Sequence, residues 1–365
     1  MGRIKQVTLL ITRNCNLRCS YCYVREYSGG EMTLETAKDI ISEVFAEDLS
    51  EYDAVEFTFL GGEPFCAFPL LRDLSEWIWS RAWPKTYRLT AVTNGTLIRG
   101  EIKQWLAENR ERFYLSLSYD GEGESQNVNR SQSDHMIDLE YFHQLWPELP
   151  VKMTITEDSV NHLADDIIRL RKRGIPVNDT FAGGSPIWKK ESLIELGWQL
   201  QKLCSYELEC PDSQRHSDLL SIDLRGALWN EAPVSFACGG GKDRVTYDHS
   251  GQRYACHLLS GLVLDDSQME QLRNGTVESK PMEQCRNCIL NSICPTCEGN
   301  SFRLYQCFGR REESLCDLFR YQVYYACRYQ AKRILRKPEI NEADKLTLAA
   351  VKKLMNDVRW FPSEM

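Results

Sequence analysis

The sequence predicts an α/β protein built on a parallel sheet, followed by a separate cysteine-rich region, and three observations carry that prediction. Short β-rich runs alternate with amphipathic stripes through the first half, as in successive βα units. The alternation breaks at Gly183-Gly184-Ser185-Pro186. Eight of the 15 cysteines then crowd into residues 236–319, with Gly-rich turns and little helical pattern.

The strand runs are residues 6–12, 54–60, 87–93, 113–118, 150–156 and 176–181. Between them Ala37, Ile40, Ile41, Val44 and Phe45 recur at helical spacing and share one face, and similar stripes cover 70–79, 102–106 and 163–170. Six such units make either an open doubly wound sheet or a partial barrel, and both place ligands at the carboxyl ends of the strands. A helical bridge is expected at 191–204. A small unit starting near Phe236 is expected to be organised by metal rather than by an apolar core. A helix over 317–335 is stopped by Pro338, and a last amphipathic helix covers 343–358. The expected domains are 1–184, a bridge at 185–235, the cysteine-rich unit at 236–330 and a helical tail at 331–365.

Composition narrows the class. The 365 residues are 42% apolar and carry 44 Lys+Arg against 52 Asp+Glu, a net charge of −8. That acidity argues against nucleic acid, whose backbone needs a basic surface. No run of about 18 apolar residues occurs, and Met1-Gly2-Arg3-Ile4-Lys5 leads into a strand without a signal-peptide cleavage site, so a cytoplasmic protein that does not use a membrane is expected. In a reducing compartment 15 cysteines point to metal or redox chemistry rather than disulfides.

Directly after the first strand run stands Cys15-Asn16-Leu17-Arg18-Cys19-Ser20-Tyr21-Cys22, with spacing C-x3-C-x2-C. A structural zinc site would want four closed ligands, and no fourth Cys or His is near in sequence. Three thiolates on one loop can instead hold three irons of a [4Fe–4S] cluster and leave the fourth open. The pattern resembles the radical S-adenosylmethionine (SAM) superfamily, whose signature follows the first strand of a partial (β/α)6 TIM barrel and has an aromatic residue, here Tyr21, before the last cysteine. Further motifs fall in the family's order. Gly61-Gly62-Glu63-Pro64 resembles the motif that receives the SAM amino group, glycines permitting close backbone approach and a carboxylate pairing with an ammonium. Thr93-Asn94-Gly95 and the stretch containing Ser116 and Ser118 resemble the next two SAM contacts. Arg130 matches the arginine that grips the SAM carboxylate. The resemblance implies that Tyr21 lies against adenine; Tyr23 is read as packing.

The later cysteines run Cys238, then Gly251-x4-Cys256, then Cys285-x2-Cys288-x5-Cys294-x2-Cys297, then Cys316. Two C-x2-C pairs suggest a zinc ribbon, but five residues separate them here against roughly 15–20 in a ribbon. The order resembles the SPASM domain, the auxiliary iron–sulfur extension of peptide-modifying radical SAM enzymes, departing from it in the two-residue gap before Cys297. With the barrel, the resemblance covers the chain to about residue 330. It implies an outer cluster on Cys285, Cys288, Cys294 and Cys316. It implies an inner one on Cys238, Cys256 and Cys297, completed by Cys307 or left with one open iron; Arg244 stands where related sulfatase maturases have a cysteine. Cys66, Cys204, Cys210 and Cys327 match nothing and are assigned structural roles.

The family's cofactors are then SAM and three [4Fe–4S] clusters, one binding SAM and two auxiliary. The resemblance implies reductive cleavage of SAM to a 5′-deoxyadenosyl radical, hydrogen abstraction from a peptide side chain, and a C–C or thioether crosslink within that peptide. Sulfatase-maturing relatives carry an aspartate base after the Gly-x4-Cys cysteine, whereas this chain has His257, as in maturases of ribosomally made peptides. A histidine of ordinary pKa about 6.5 suits a base, but it equally suits a loop cap or a cluster neighbour. Formylglycine formation is the alternative reaction. A non-catalytic iron–sulfur or zinc scaffold is the alternative class, disfavoured because a mere electron carrier needs no SAM pocket. The implied partners are a ribosomally made precursor peptide and an electron donor such as flavodoxin or ferredoxin. Because the first strand run starts near residue 6, the peptide's leader is expected on the barrel, on the bridging helices, on a separate leader-binding protein or not bound at all.

Overall fold

The computed structural model describes residues 2–184, 186–210, 216–229 and 235–362, so Ser185 and the bridge segments 211–215 and 230–234 lie outside the described residues. Eight strands are described: β1 (Ile4–Thr12), β2 (Ala54–Gly61), β3 (Thr86–Thr93), β4 (Phe113–Leu117), β5 (Val151–Ile155), β6 (Val177–Phe181), β7 (Arg244–Tyr247) and β8 (Arg253–Tyr254). They divide into a six-stranded sheet of order β4-β3-β2-β1-β7-β8 and a two-stranded sheet of β5 and β6.

Two compact units emerge. The first comprises residues up to Tyr119, Arg130–Val151 and Cys238–Val277; the second comprises Asp120–Asn129, Lys152–Ala237 and Glu278 onward. In the first unit β1 pairs parallel with β2, aligning Val7 with Phe57 and Leu9 with Phe59. The parallel arrangement continues through β3 and β4. Val7, Leu9, Ile11, Phe57 and Phe59 are fully buried, as strands covered on both faces require. The helix Leu34–Ala46 buries the five residues of its apolar stripe and is capped by Thr33, whose hydroxyl accepts from the Thr36 N–H at 3.1 Å.

The sheet also takes in part of the cysteine-rich segment. Strand β7 pairs parallel with β1, with Val7 opposite Val245, and β8 folds back antiparallel on β7. This was not readable beforehand. A strand of four residues has too short a pattern, and its partner lies more than 200 positions away in sequence.

In the second unit the bridge is a helix, Lys190–Glu209, that runs beyond the expected 191–204. The helices Ser314–Leu335 and Glu342–Met355 bury Phe319, Val323, Cys327, Ala350 and Leu354 with Leu224, Leu290 and Trp360 in one apolar core. Cys288 and Cys294 pack against that core, so the terminal helix supports a cysteine-bearing loop.

Candidate active site

The loop Cys15–Cys22 begins where β1 ends, and the first unit fixes it from several sides. The Cys22 N–H donates to the Cys19 carbonyl at 3.1 Å, and the Leu17 N–H lies 3.5 Å from Cys15 Sγ. The Tyr27 hydroxyl donates to Cys22 and feels the charge of Cys15 and Cys19 as well; burial first, then that hydrogen bond, pushes its pKa up. Arg18 stacks over the Tyr27 ring at 3.9 Å and donates to the Cys15 carbonyl at 2.9 Å. The Arg18 N–H donates to Ser131 Oγ at 2.8 Å, Ser131 being a non-glycine residue at φ 56°.

Asn94 acts on the same loop. Its side-chain amide donates to Asn16 Oδ1 at 3.0 Å, the Asn16 amide donates to Thr96 Oγ1 at 2.7 Å, and the Thr96 N–H and hydroxyl donate to Asn94 Oδ1 at 3.0 and 2.7 Å. This closed ring of hydrogen bonds ties the turn after β3 to the cysteine loop. Asn16 and Thr96 were not singled out from sequence, although both stand inside or beside motifs that were.

The glycines at the end of β2 pass close against protein backbone. A Cβ on Gly61 would lie 2.1 Å from the Thr12 carbonyl oxygen, and one on Gly62 would lie 2.4 Å from that of Asn14. The Gly62 and Glu63 N–H groups donate to those same oxygens at 2.9 and 2.8 Å. Close approach to the base of the cysteine loop is thus the first use of the Gly-Gly pair. Glu63 is 1% exposed and accepts from Phe65 N–H at 3.1 Å, Thr93 Oγ1 at 2.8 Å and Asn94 N–H at 2.7 Å. Burial pushes its pKa up to about 7 against those donors. Of the roughly four acceptor sites on a carboxylate, three are used.

Tyr21 and Arg130 come together: the buried guanidinium lies 5.3 Å from the centre of the Tyr21 ring. Ser116 is within β4, and the Ser118 N–H just beyond it donates to the Thr93 carbonyl at 2.9 Å. Cys66 accepts from the Asn16 N–H, and burial, reinforced by Glu63 and Cys15, pushes its thiol up to about 11. His257 packs on Tyr23, ring centres 5.3 Å apart. The Tyr23 pKa is raised by burial, then by the neighbouring Cys22 and Cys256. The Arg25 N–H donates to the Leu262 carbonyl at 3.3 Å, so the segment after the cysteine loop runs beside the one that follows Cys256. Cys238 and Cys256 share one end of the β7–β8 hairpin, where the Gly241 N–H donates to the Ala255 carbonyl at 3.1 Å.

In the second unit Cys285, Cys288, Cys294 and Cys316 line one cavity of about 480 Å³. Burial raises the Cys285, Cys294 and Cys316 thiols, that of Cys294 to about 11, and each is also raised by at least one other thiol of the four. Cys297 is exposed and caps the helix Glu298–Tyr305, accepting from the Asn300 N–H at 3.5 Å, while Cys307 is buried with its carbonyl accepting from Ser301 Oγ at 2.8 Å. Buried Cys204 and Cys327 have thiols raised by desolvation to about 12.

Residues 9–131, from β1 past β4, match the family model of the radical SAM superfamily. The chain carries a radical SAM domain. Curated relatives match over about a third of their own length. A probable GTP 3',8-cyclase of Methanocella arvoryzae is 32% identical over 117 residues, 32% of this chain and 34% of that protein. A cysteine-type anaerobic sulfatase-maturating enzyme of Clostridium perfringens is 32% identical over 133 residues, 32% of each chain. Among solved structures, native anSMEcpe with bound AdoMet and Cp18Cys peptide superposes with a TM-score of 0.67 at 19% identity, over 91% of this chain and 99% of that one. Streptococcus suis SuiB bound to precursor peptide SuiA gives 0.56 at 16%, over 86% and 76%. At such identities the likeness is one of fold: a partial barrel followed by a SPASM-type extension.

The radical SAM domain implies SAM and a [4Fe–4S] cluster, and its residues fit both. Three thiols stand on one hydrogen-bonded loop, a buried carboxylate keeps an acceptor site, and Tyr21 and Arg130 face one another. The four thiols around the second unit's cavity fit a further cluster. Among the described residues no three Cys, His, Asp or Glu side chains are placed as ligands of a single ion. A cubane differs, since each cysteine binds its own iron. No described helix is long and apolar enough to cross a membrane.

Proposed function

We propose that this chain is a radical SAM/SPASM peptide maturase that forms an intramolecular C–C or thioether crosslink. The observation that carries the reading is the second set of four thiols around one cavity, in addition to the three on the loop after β1. Cleavage of SAM needs one cluster; a second ligand set suits an enzyme that must also take an electron from a large substrate radical. The fold likeness to two proteins solved with peptides supports a peptide substrate.

When bound, the loop cluster and SAM supply a 5′-deoxyadenosyl radical that removes a hydrogen atom from the substrate. The protein's part is positioning. Cys15, Cys19 and Cys22 hold the cluster on a loop fixed by Asn94 and by the Gly61-Gly62 contact. Glu63 offers its remaining acceptor site to the SAM ammonium, Arg130 pairs with the carboxylate, and Tyr21 lies along the adenine. Asn94, Ser116 and Ser118 line the rest of the cofactor's path at the strand ends. Cys285, Cys288, Cys294 and Cys316 hold an outer auxiliary cluster; Cys238, Cys256 and Cys297 hold an inner one, with Cys307 as its fourth ligand or one iron open. His257, set against Tyr23 where formylglycine-forming relatives have their aspartate base, favours crosslinking over formylglycine.

The test is anaerobic incubation of the reconstituted chain with SAM, a reductant and a short peptide encoded beside its gene. Crosslinking predicts a product lighter by two hydrogens, with the new bond located by fragmentation. Formylglycine in the product would favour the sulfatase-type reaction, and unmodified peptide with stoichiometric zinc in the protein would favour a scaffold.

A further inference from the structure

The cavity lined by Cys285, Cys288, Cys294 and Cys316 carries three arginines on its wall, and they differ in one respect. Arg320 is paired with Asp317 at 3.2 Å and Arg359 with Asp357 at 2.6 Å, and both aspartates line the same cavity. Their charges are cancelled locally. Arg311 is 7% exposed, and its guanidinium donates to two backbone carbonyls, those of Cys294 at 3.0 Å and Asn291 at 2.9 Å. Carbonyl partners orient a guanidinium without neutralising it, so Arg311 places a full positive charge at the cysteines.

We infer that Arg311 is the counter-charge of the outer auxiliary cluster and sets its reduction potential. This rests on the reading above that these four cysteines hold a cluster. Four thiolates on an oxidised [4Fe–4S] core leave a net charge of −2, and one-electron reduction makes it −3. A fixed buried cation stabilises the more negative state more strongly, because charge–charge energy scales with the product of the charges and water screens little inside the fold. Removing it must therefore lower the potential. The second role, bracing the 291–294 turn, needs the fork geometry of arginine; the electrostatic role needs only the charge.

The experiment uses the full chain, anaerobically reconstituted, with Arg311→Met and Arg311→Lys compared with wild type by iron content and by potentiometric titration of the outer-cluster resonance signal. That signal is assigned by its loss in Cys316→Ala. The expected result is a reduction equilibrium about tenfold less favourable in Arg311→Met, 59 mV for a one-electron couple, and within about threefold of wild type in Arg311→Lys. Loss of the outer irons in Arg311→Met with retention and near-normal potential in Arg311→Lys supports the same role. A fully loaded Arg311→Met with an unchanged potential overturns it, as do equal shifts or equal iron loss in both variants. Wild type lacking any iron or signal dependent on Cys316 would remove the cluster assignment itself, and the inference with it.

Discussion

At the scale of single residues, the motifs read from sequence turn out to hold one another before they hold any ligand. Glu63 joins the turn after β2 to Thr93 and Asn94 after β3, and Asn94 in turn grips Asn16 between two of the loop cysteines. Asn94→Ala removes a buried acceptor from the Thr96 N–H and hydroxyl and a donor from Asn16. It should lower stability by about 1–3 kcal/mol, read from urea unfolding of the metal-free chain, and should depress SAM cleavage by more than that loss explains, because the cysteine loop is released. A variant with wild-type unfolding and wild-type cleavage would show that the ring of hydrogen bonds is idle. The sequence named Asn94 but not its partners Asn16 and Thr96, nor Tyr27 and Ser131 beside Arg18; all four are ordinary polar residues whose importance comes from what the fold brings beside them.

At the scale of elements, the turn after β2 must pass against the end of β1. The atoms that a Gly62→Ala methyl would meet are the backbone oxygens of Asn14 and Arg13, at 2.4 and 2.6 Å, and backbone cannot swing aside as a side chain would. Gly62→Ala should displace the cysteine loop and reduce reconstituted iron by about four per chain while sparing the auxiliary irons. Full iron content would contradict this. Strand β6 offers a different test. Asp179 is buried and accepts from the hydroxyl of Ser217 and from the N–H groups of Asp218 at 3.1 Å and Leu219 at 3.3 Å, yet burial outweighs those donors and raises its pKa to about 6. A carboxyl whose folded pKa lies above its unfolded one stabilises the fold fully below the unfolded value, about 4, and that contribution is lost as pH rises through about 6. Between pH 4 and 7 the wild type should therefore lose on the order of 1–2 kcal/mol relative to Asp179→Asn; parallel pH profiles would refute the assignment. Elements were legible where patterns are long: the stripe of the helix Leu34–Ala46 and the runs of β1 to β3 could be read because 8 to 13 residues carry one pattern. Strands β7 and β8 could not, since their place beside β1 depends on pairing across most of the chain.

At the scale of the whole molecule, cysteine spacing told more than periodicity did. The cysteines of the C-x3-C-x2-C run stand on one loop after β1, and those of the C-x2-C-x5-C run line one cavity together with Cys316. What spacing alone did not reveal is that Cys238 and Cys256 belong to the compact unit of the first sheet and Cys297 and Cys307 to the other. Three clusters predict roughly 12 irons per chain after anaerobic reconstitution. About four irons with stoichiometric zinc would instead make the later cysteines a zinc module. The central claim is narrower: the loop after β1 cleaves SAM. It is tested most directly by quantifying 5′-deoxyadenosine released from SAM under reductant by wild type and by Cys15→Ala, Cys19→Ala and Cys22→Ala. Steady release by wild type and none above background in any variant, with the auxiliary irons retained, is the predicted result; undiminished release in all three variants would contradict it.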